Sequence, residues 1–153
     1  MEESLKITGI IEIRLERNGK TIVEKTIHNL ITSAGKAAVA GLVGNVGGIS
    51  SFTYLALGTG TTPAAIGDTA LESEVIDSGL ERVSATTTRQ TTNVANDTLQ
   101  LVYAWTASGS KNVSEIGAFN ASSAGIMLGR QVFTAIPFQT SDVFTATYKF
   151  IFS

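Results

Sequence analysis

Regular alternation of apolar and polar side chains is the feature that most constrains the fold of this sequence. From residue 144 to residue 152 every second side chain is apolar, and threonine or lysine lies between most of them. Residues 98–107 show the same period of two. A strand with one buried face has this period, whereas an amphipathic helix repeats every 3.6 residues. The pattern therefore predicts an all-β fold.

The pair Asn18-Gly19 predicts a tight hairpin between the strands of residues 6–27. Both central residues of a two-residue type I′ turn need positive φ, which Asn and Gly tolerate best. Cross-strand partners follow from closing the strands on this turn. The predicted register places Leu15 opposite Ile22 and Glu12 opposite Lys25.

Residues 33–43 predict one short helix after the hairpin. Thr32 or Ser33 can cap its N-terminus, and Gly44 suits a left-handed stop at its C-terminus. We expect a face made of Val39, Ala40 and Val43 to pack on the sheet, because so short a helix is not stable alone.

The remaining residues divide into strands at turn signals rich in Gly, Asn, Ser and Pro. The predicted strands are 52–57, 80–92, 98–107, 113–120, 126–133 and a last strand after a turn at 137–142. With the hairpin, these give about eight strands. We predict an antiparallel β-sandwich, jelly-roll-like, with an eight-stranded closed barrel as the alternative. It is one domain, residues 1–153, with an N-terminal arm at 1–6 and a long loop at 59–78.

Composition narrows the classes of partner. The net charge of −2 gives no basic surface for nucleic acid, and no apolar run is long enough to cross a membrane. The acidic N-terminus lacks the apolar core of a secretory signal, and the absence of cysteine excludes disulfides and thiolate metal sites. Charged residues make up only 16%, below the ~25% of typical soluble domains. A weakly charged surface favours self-association.

The stretch 58–62, Gly-Thr-Gly-Thr-Thr, superficially resembles a phosphate-binding loop. A P-loop needs a lysine and a helix after the last glycine, but Pro63 and a coil follow here. We therefore expect Gly58 and Gly60 to supply the backbone angles of a sharp turn that leaves a buried strand.

No constellation of side chains predicts catalysis, a cofactor or a metal. His28 is the only histidine, and we expect it to lie at a strand end near backbone partners. The acidic residues of 68–81 match no calcium-binding loop, which predicts a solvated acidic loop. Trp105 and the tyrosines could form a sugar-binding platform, but their positions in alternating apolar rows favour core packing. The sequence predicts no enzymatic activity.

The strand at residues 83–89 has almost no large apolar side chain and predicts a flat, polar sheet edge. Such edges invite pairing with another chain. The alternative is a solvated edge on which Arg82 and Arg89 prevent pairing.

Several motifs occur in an order that resembles the N-terminal domain of tail-collar fibre proteins, a structural module of tailed phages. The motifs are His28-Asn-Leu-Ile31, Phe52-Thr-Tyr-Leu-Ala-Leu-Gly-Thr-Gly-Thr-Thr62, Gly67-Asp-Thr-Ala-Leu71, Ser114-Glu-Ile-Gly-Ala-Phe-Asn120 and Met127-Leu-Gly-Arg-Gln-Val-Phe133. The resemblance covers roughly residues 27–152. It implies a virion component without enzymatic activity, present as a symmetric multimer and assembled in the host cytoplasm.

Fibre proteins continue into shafts and receptor-binding tips, whereas this chain ends at Ser153. The resemblance therefore favours a capsid-decorating or cementing subunit, a homotrimer that contacts other virion proteins such as the major capsid or tail proteins. A tail-fibre, tail-collar or baseplate adaptor is the alternative, and a carbohydrate-binding module is an alternative of another class. The candidate partner contacts are Glu3, Ser4, Leu5, Thr61, Thr62, Pro63, Arg82 and Arg89.

Overall fold

The computed structural model describes residues 2–153 and confirms an all-β antiparallel fold with one short helix. The elements are β1 (Ile7–Arg17), β2 (Lys20–Ile31), α1 (Ser33–Gly44), β3 (Tyr54–Gly58), β4 (Val83–Ser84), β5 (Thr86–Gln90), β6 (Thr98–Thr106), β7 (Lys111–Phe119), β8 (Met127–Phe138) and β9 (Val143–Phe152). Within these residues no helix is long and apolar enough to cross a membrane.

The nine strands form one sheet in the order β4-β3-β7-β8-β2-β1-β9-β6-β5. The sheet folds into two layers where only the last two residues of β2 pair with β8. One core cluster contains side chains of both layers, such as Phe138 of β8 and Phe144 of β9, whose ring centroids are 5.1 Å apart. Residues 83–90 pair first with β3 and then with β6, so the sheet almost closes on itself. The predicted two-layer fold is confirmed, and the near-closure of the sheet resembles the closed barrel that was the alternative prediction.

The predicted alternation in β6 and β9 is confirmed. The side chains of Trp105, Phe144, Tyr148 and Phe150 are all buried. The register pairs Trp105 with Phe144 and Leu101 with Tyr148 on the inner face of the layer. These apolar rows form the centre of the core.

The predicted hairpin turn is confirmed, but most of the predicted register is wrong. Asn18 and Gly19 both have positive φ, 52° and 75°. A β-bulge next to the turn then inserts one extra residue, Ile22, into β2. Leu15 therefore lies opposite Val23 rather than Ile22. The same shift places Glu12 opposite Thr26 rather than Lys25, and Glu12 instead forms an ion pair with Lys149 at 3.0 Å.

Helix α1 forms where predicted, with Thr32 as its N-cap, but its buried face was predicted wrongly. Gly35 and Ala38 are buried, whereas Ala40 and Val43 are exposed and Val39 is half-buried. A Cβ at Gly35 would lie 2.6 Å from a backbone oxygen of Leu128, so the helix approaches β8 more closely than large side chains allow. The left-handed residue at its C-terminus is Asn45 rather than Gly44.

Two strand boundaries also differ from prediction. The predicted strand 80–92 shortens to β4 and β5, because Ala85 separates the residues that pair with β3 from those that pair with β6. Strand β8 continues through Pro137, which was predicted to lie in a turn. Beyond its contact with β2, one side of β8 has no partner strand among the described residues, and an open edge tolerates the missing N–H of proline.

Candidate functional site

The long loop of residues 59–78 lies against the outer face of β3, β7 and β8. Leu71 packs there with Ala56, Phe119 and Met127 in a small apolar cluster separate from the main core. The backbone N–H of Thr59 donates to the Ser73 carbonyl within the loop, and that of Val75 donates to the Leu57 carbonyl of β3, both at 2.9 Å. The loop is therefore fixed along this face, which places its tip at residues 61–63.

A buried carboxylate, Glu115 of β7, is the main anchor of the loop. Its side chain is 0% exposed. One carboxylate oxygen accepts the backbone N–H groups of Gly60 at 3.0 Å and Ser73 at 2.8 Å, and the other accepts that of Glu72 at 3.1 Å. Two segments of the loop that are distant in sequence are thus attached to one side chain.

Arg130 of β8 neutralises this carboxylate. Its side chain is 3% exposed and donates to Glu115 at 2.9 Å, to Asp68 at 2.8 Å and to the Thr62 carbonyl at 3.1 Å. Burial alone lowers the pKa of Arg130, but the hydrogen bonds to Glu115 and Asp68 outweigh that effect and raise it. A buried pair with all its hydrogen bonds made holds one arrangement of the surrounding chain.

The glycines of the loop entrance have a different role from the one predicted. Neither Gly58 nor Gly60 has positive φ, so the prediction of special turn angles is wrong. A Cβ at either position would instead overlap the carboxylate of Glu115. The two glycines leave room for this carboxylate next to the backbone, and the hydroxyl of Ser114 donates to the Gly60 carbonyl at 2.7 Å.

The acidic residues of the loop are mostly paired rather than solvated, contrary to prediction. Asp68 pairs with Arg130, Asp77 with Lys111 at 2.8 Å, and Glu74 with Arg82 at 2.6 Å. Hydrogen bonds from the backbone and side chain of Thr62 lower the pKa of Glu72. Within residues 2–153 no group of three acidic or histidine side chains is arranged to hold a metal ion.

Arg82, a predicted partner contact, is largely used inside the chain. Its side chain is 7% exposed and lies over the ring of Phe119, with 3.8 Å between the guanidinium carbon and the ring centroid. It also donates to the carbonyls of Ala121 and Ala124 at 3.0 and 2.9 Å. The residue therefore offers little surface to a partner.

The other predicted contacts are exposed but lie in separate places. Glu3, Ser4 and Leu5 belong to the N-terminal arm, Thr61, Thr62 and Pro63 form the loop tip, and Arg89 lies on the edge strand β5. Thr62 is held by two side chains, those of Glu72 and Arg130. The structure does not bring these residues together into one site within a single chain.

An exposed apolar surface, which sequence reasoning missed, surrounds helix α1. We define the α1 surface as Leu5, Val39, Ala40 and Val43; Leu5 is 73% exposed and Val43 is 83% exposed. A groove of about 700 Å³ separates the arm from the helix on one side. On the other side lies a pocket of about 370 Å³. The sequence does not predict this surface, because Val43 was expected to be buried against the sheet.

Trp105 and Tyr148 are buried and offer no surface to a sugar. Trp105 is buried and donates its indole N–H to the Glu81 carbonyl at 3.0 Å, and Tyr148 is buried beside Asn29. The prediction of core packing for these two residues is confirmed. His28 is exposed, and its carbonyl accepts a hydrogen bond from the side chain of Gln131.

The motifs that are far apart in sequence meet in this network. Gly60, Asp68, Glu115 and Arg130 come from four of the five motifs quoted above, and hydrogen bonds connect them around the loop. Comparisons with family models, with curated proteins and with solved structures found no match to this chain.

Proposed function

We propose that this protein is a non-enzymatic structural subunit of a tailed-virus particle that decorates and reinforces the capsid. It acts through symmetric contacts with copies of itself and through contacts with neighbouring virion proteins, such as the major capsid protein. Assembly takes place in the host cytoplasm, and the finished protein belongs to the virion. A tail-collar, fibre or baseplate adaptor remains the alternative position in the particle.

The α1 surface is the observation that carries the proposal. Leu5 and Val43 are among the most exposed large apolar side chains of the described residues, and Leu5 of the arm shares a groove with Val43 of α1. Monomeric proteins rarely expose contiguous apolar patches larger than a few hundred Å² without a binding role. A protein whose role is contact needs such a surface.

The anchored loop supports the same proposal. Residues 59–78 lack helix and strand, yet Glu115, Arg130 and Glu72 fix the loop against the sheet. Its tip, residues 61–63, is thereby presented in one conformation. A rigid, uncharged tip loses little conformational entropy on binding, which favours a permanent protein contact. A carbohydrate-binding role is not proposed, because Trp105 is inside the core.

Light scattering of the purified chain and mass spectrometry of particles made from the encoding phage or prophage genome test the proposal together. We expect a mass near three times the 16.0 kDa of one chain, and the protein among the particle components. Val43→Asp should weaken self-association. Ile76→Asp is the matched control, since Ile76 is 81% exposed and follows Val75, which pairs with the far end of β3. A monomeric protein that is absent from the particles would refute the proposal.

A further inference from the structure

Strand β5 is an open edge of the sheet. It pairs with β6 on one side, and among residues 2–153 no strand lies on its other side. All five of its residues, Thr86–Gln90, are exposed. Free N–H and C=O groups along such an edge accept an added strand.

A largely apolar pocket lies beside this edge. It has a volume of about 370 Å³, and its apolar lining includes Val39, Leu42, Phe52, Leu99 and Phe152. Three polar residues also line it, Ser51, Thr53 and Thr87 of β5. Thr87 lies opposite buried Leu101, so its side chain is on the inner face of the layer. Arg89 lies opposite Leu99, another lining residue, and shares this face.

Arg89 has no acidic partner among residues 2–153. It is exposed and takes part in none of the ion pairs of the described residues. An added strand that filled the pocket would therefore complement it best with an apolar side chain near Thr87 and an acidic one near Arg89.

The N-terminal arm has this pattern. Glu3 and Leu5 are two residues apart, so an extended arm places both side chains on one face. Both are exposed, and Glu3, like Arg89, forms no ion pair among the described residues. The arm therefore offers one acidic and one apolar side chain in the spacing that the edge of β5 and its pocket require.

We propose that the N-terminal arm of a second copy of this chain adds to β5 as an antiparallel strand. This inference rests on the proposed self-association and names its contact. Leu5 of the second copy lies opposite Thr87 and enters the pocket, and its Glu3 lies opposite Arg89. Ser4 then lies opposite Thr88, so no like charges face each other.

A chain cannot place its own arm in this position. Lys6 is tied to Ser153 by backbone hydrogen bonds at 2.6 and 2.9 Å, next to the paired start of β1. Strands β9, β6 and β5 lie between β1 and the new strand. At roughly 4.8 Å per strand spacing, the distance from β1 to the new strand is about 19 Å. Leu5 follows Lys6 within one Cα–Cα step of about 3.8 Å. The arm must therefore come from a neighbour, and the contact joins two different surfaces, as in a closed ring.

Engineered disulfides test this contact directly, because the natural chain has no cysteine. Full-length Leu5→Cys and a tagged Thr87→Cys are mixed and oxidised. We expect a covalent heterodimer of the two variants, since opposed residues of antiparallel strands have Cα atoms within the range that a disulfide spans. Leu5→Cys mixed with Ile76→Cys is the control and should give little heterodimer.

A charge exchange tests the register. Arg89→Glu should weaken association roughly fivefold, and Glu3→Arg combined with Arg89→Glu should restore it. An unchanged association constant in Arg89→Glu would overturn the register.

The remaining outcomes separate this inference from the proposed function. In a chain that carries both Leu5→Cys and Thr87→Cys, a disulfide within the monomer would overturn the exchange between copies. No bond between these positions in a protein that light scattering shows to be oligomeric would overturn arm docking while leaving self-association intact. A strictly monomeric protein would overturn both arm docking and self-association, whereas its presence in particles would still support the virion role.

Discussion

Replacement of Glu115 by Gln removes the charge that anchors the long loop while keeping the size of the side chain. Both carboxylate oxygens of Glu115 accept only from N–H donors, namely three backbone groups and Arg130. The amide NH₂ of glutamine must take the place of one oxygen. It would then face N–H donors without an acceptor. Arg130 would keep only partly exposed acidic partners, Asp68 at 2.8 Å and Glu72 at 3.7 Å.

The expected loss follows from these contacts. Removing one partner of a buried ion pair typically costs about 3–5 kcal/mol, because the other charge stays buried without compensation. We expect Glu115→Gln to lower the free energy of unfolding by roughly 3 kcal/mol or more. For a domain of this size that loss lowers the melting temperature by roughly 10 °C.

Urea unfolding followed by tryptophan fluorescence measures this loss, since the single tryptophan lies in the core. Glu81→Gln is the matched control, because Glu81 is exposed and its side chain makes no hydrogen bond within the described residues. A double-mutant cycle with Arg130→Met isolates the coupling between the two charges. A loss below about 1 kcal/mol in Glu115→Gln would refute the argument that this carboxylate anchors the loop.

Two further predictions concern other contacts of the hairpin. Hydrogen bonds from Arg17 hold the pKa of the Asp142 carboxyl below its usual range, so this pair stabilises the protein above about pH 4 and less as the pH falls through the lowered pKa. Asp142→Asn should therefore cost about 1–2 kcal/mol at pH 7 and less at pH 2, measured by urea unfolding at both pH values; an equal cost at both would contradict the assignment. Gly9→Ala should cost about 1–3 kcal/mol, because the new Cβ overlaps the carboxamide of Asn29, and little in an Asn29→Ala background; equal costs in the two backgrounds would exclude that clash.

Much of the β fold can be predicted from the sequence, because alternation and turn chemistry are local signals. The type I′ turn at Asn18-Gly19 and the apolar rows of β6 and β9 depend on residues next to one another in the chain. The bulge at Ile22 is not visible in this way, since the alternation continues on either side of it. Its position depends on which residue of β2 best packs opposite Leu15 in the folded core.

The helix face illustrates a second limit. Hydrophobicity predicts that Val39 and Val43 are buried. The short distance between the backbones of α1 and β8 instead requires small residues at the contact. Gly35 and Ala38 are small enough to let α1 lie against the backbone of β8. This leaves Val43 outside, where it contributes to the α1 surface.

The buried network lay beyond sequence reasoning for a different reason. Glu115 and Arg130 look like ordinary charged residues of β7 and β8, and their burial depends on the loop that covers them. One signal was available: Glu115 lies two positions before Gly117, Arg130 directly follows Gly129, and the only other charged residue of these two strands is Lys111. Charged side chains are rarely buried in such strands unless they form an ion pair and are hydrogen-bonded.

A cryo-EM reconstruction of particles from the encoding phage or prophage tests the central claim most directly. The account predicts symmetric copies of this fold on the capsid surface, with the arm of each copy, residues 2–5, lying along β5 of its neighbour. Copies at the tail would change the location and keep the structural role. A particle whose map and composition both lack the protein would contradict the claim that it is a structural subunit.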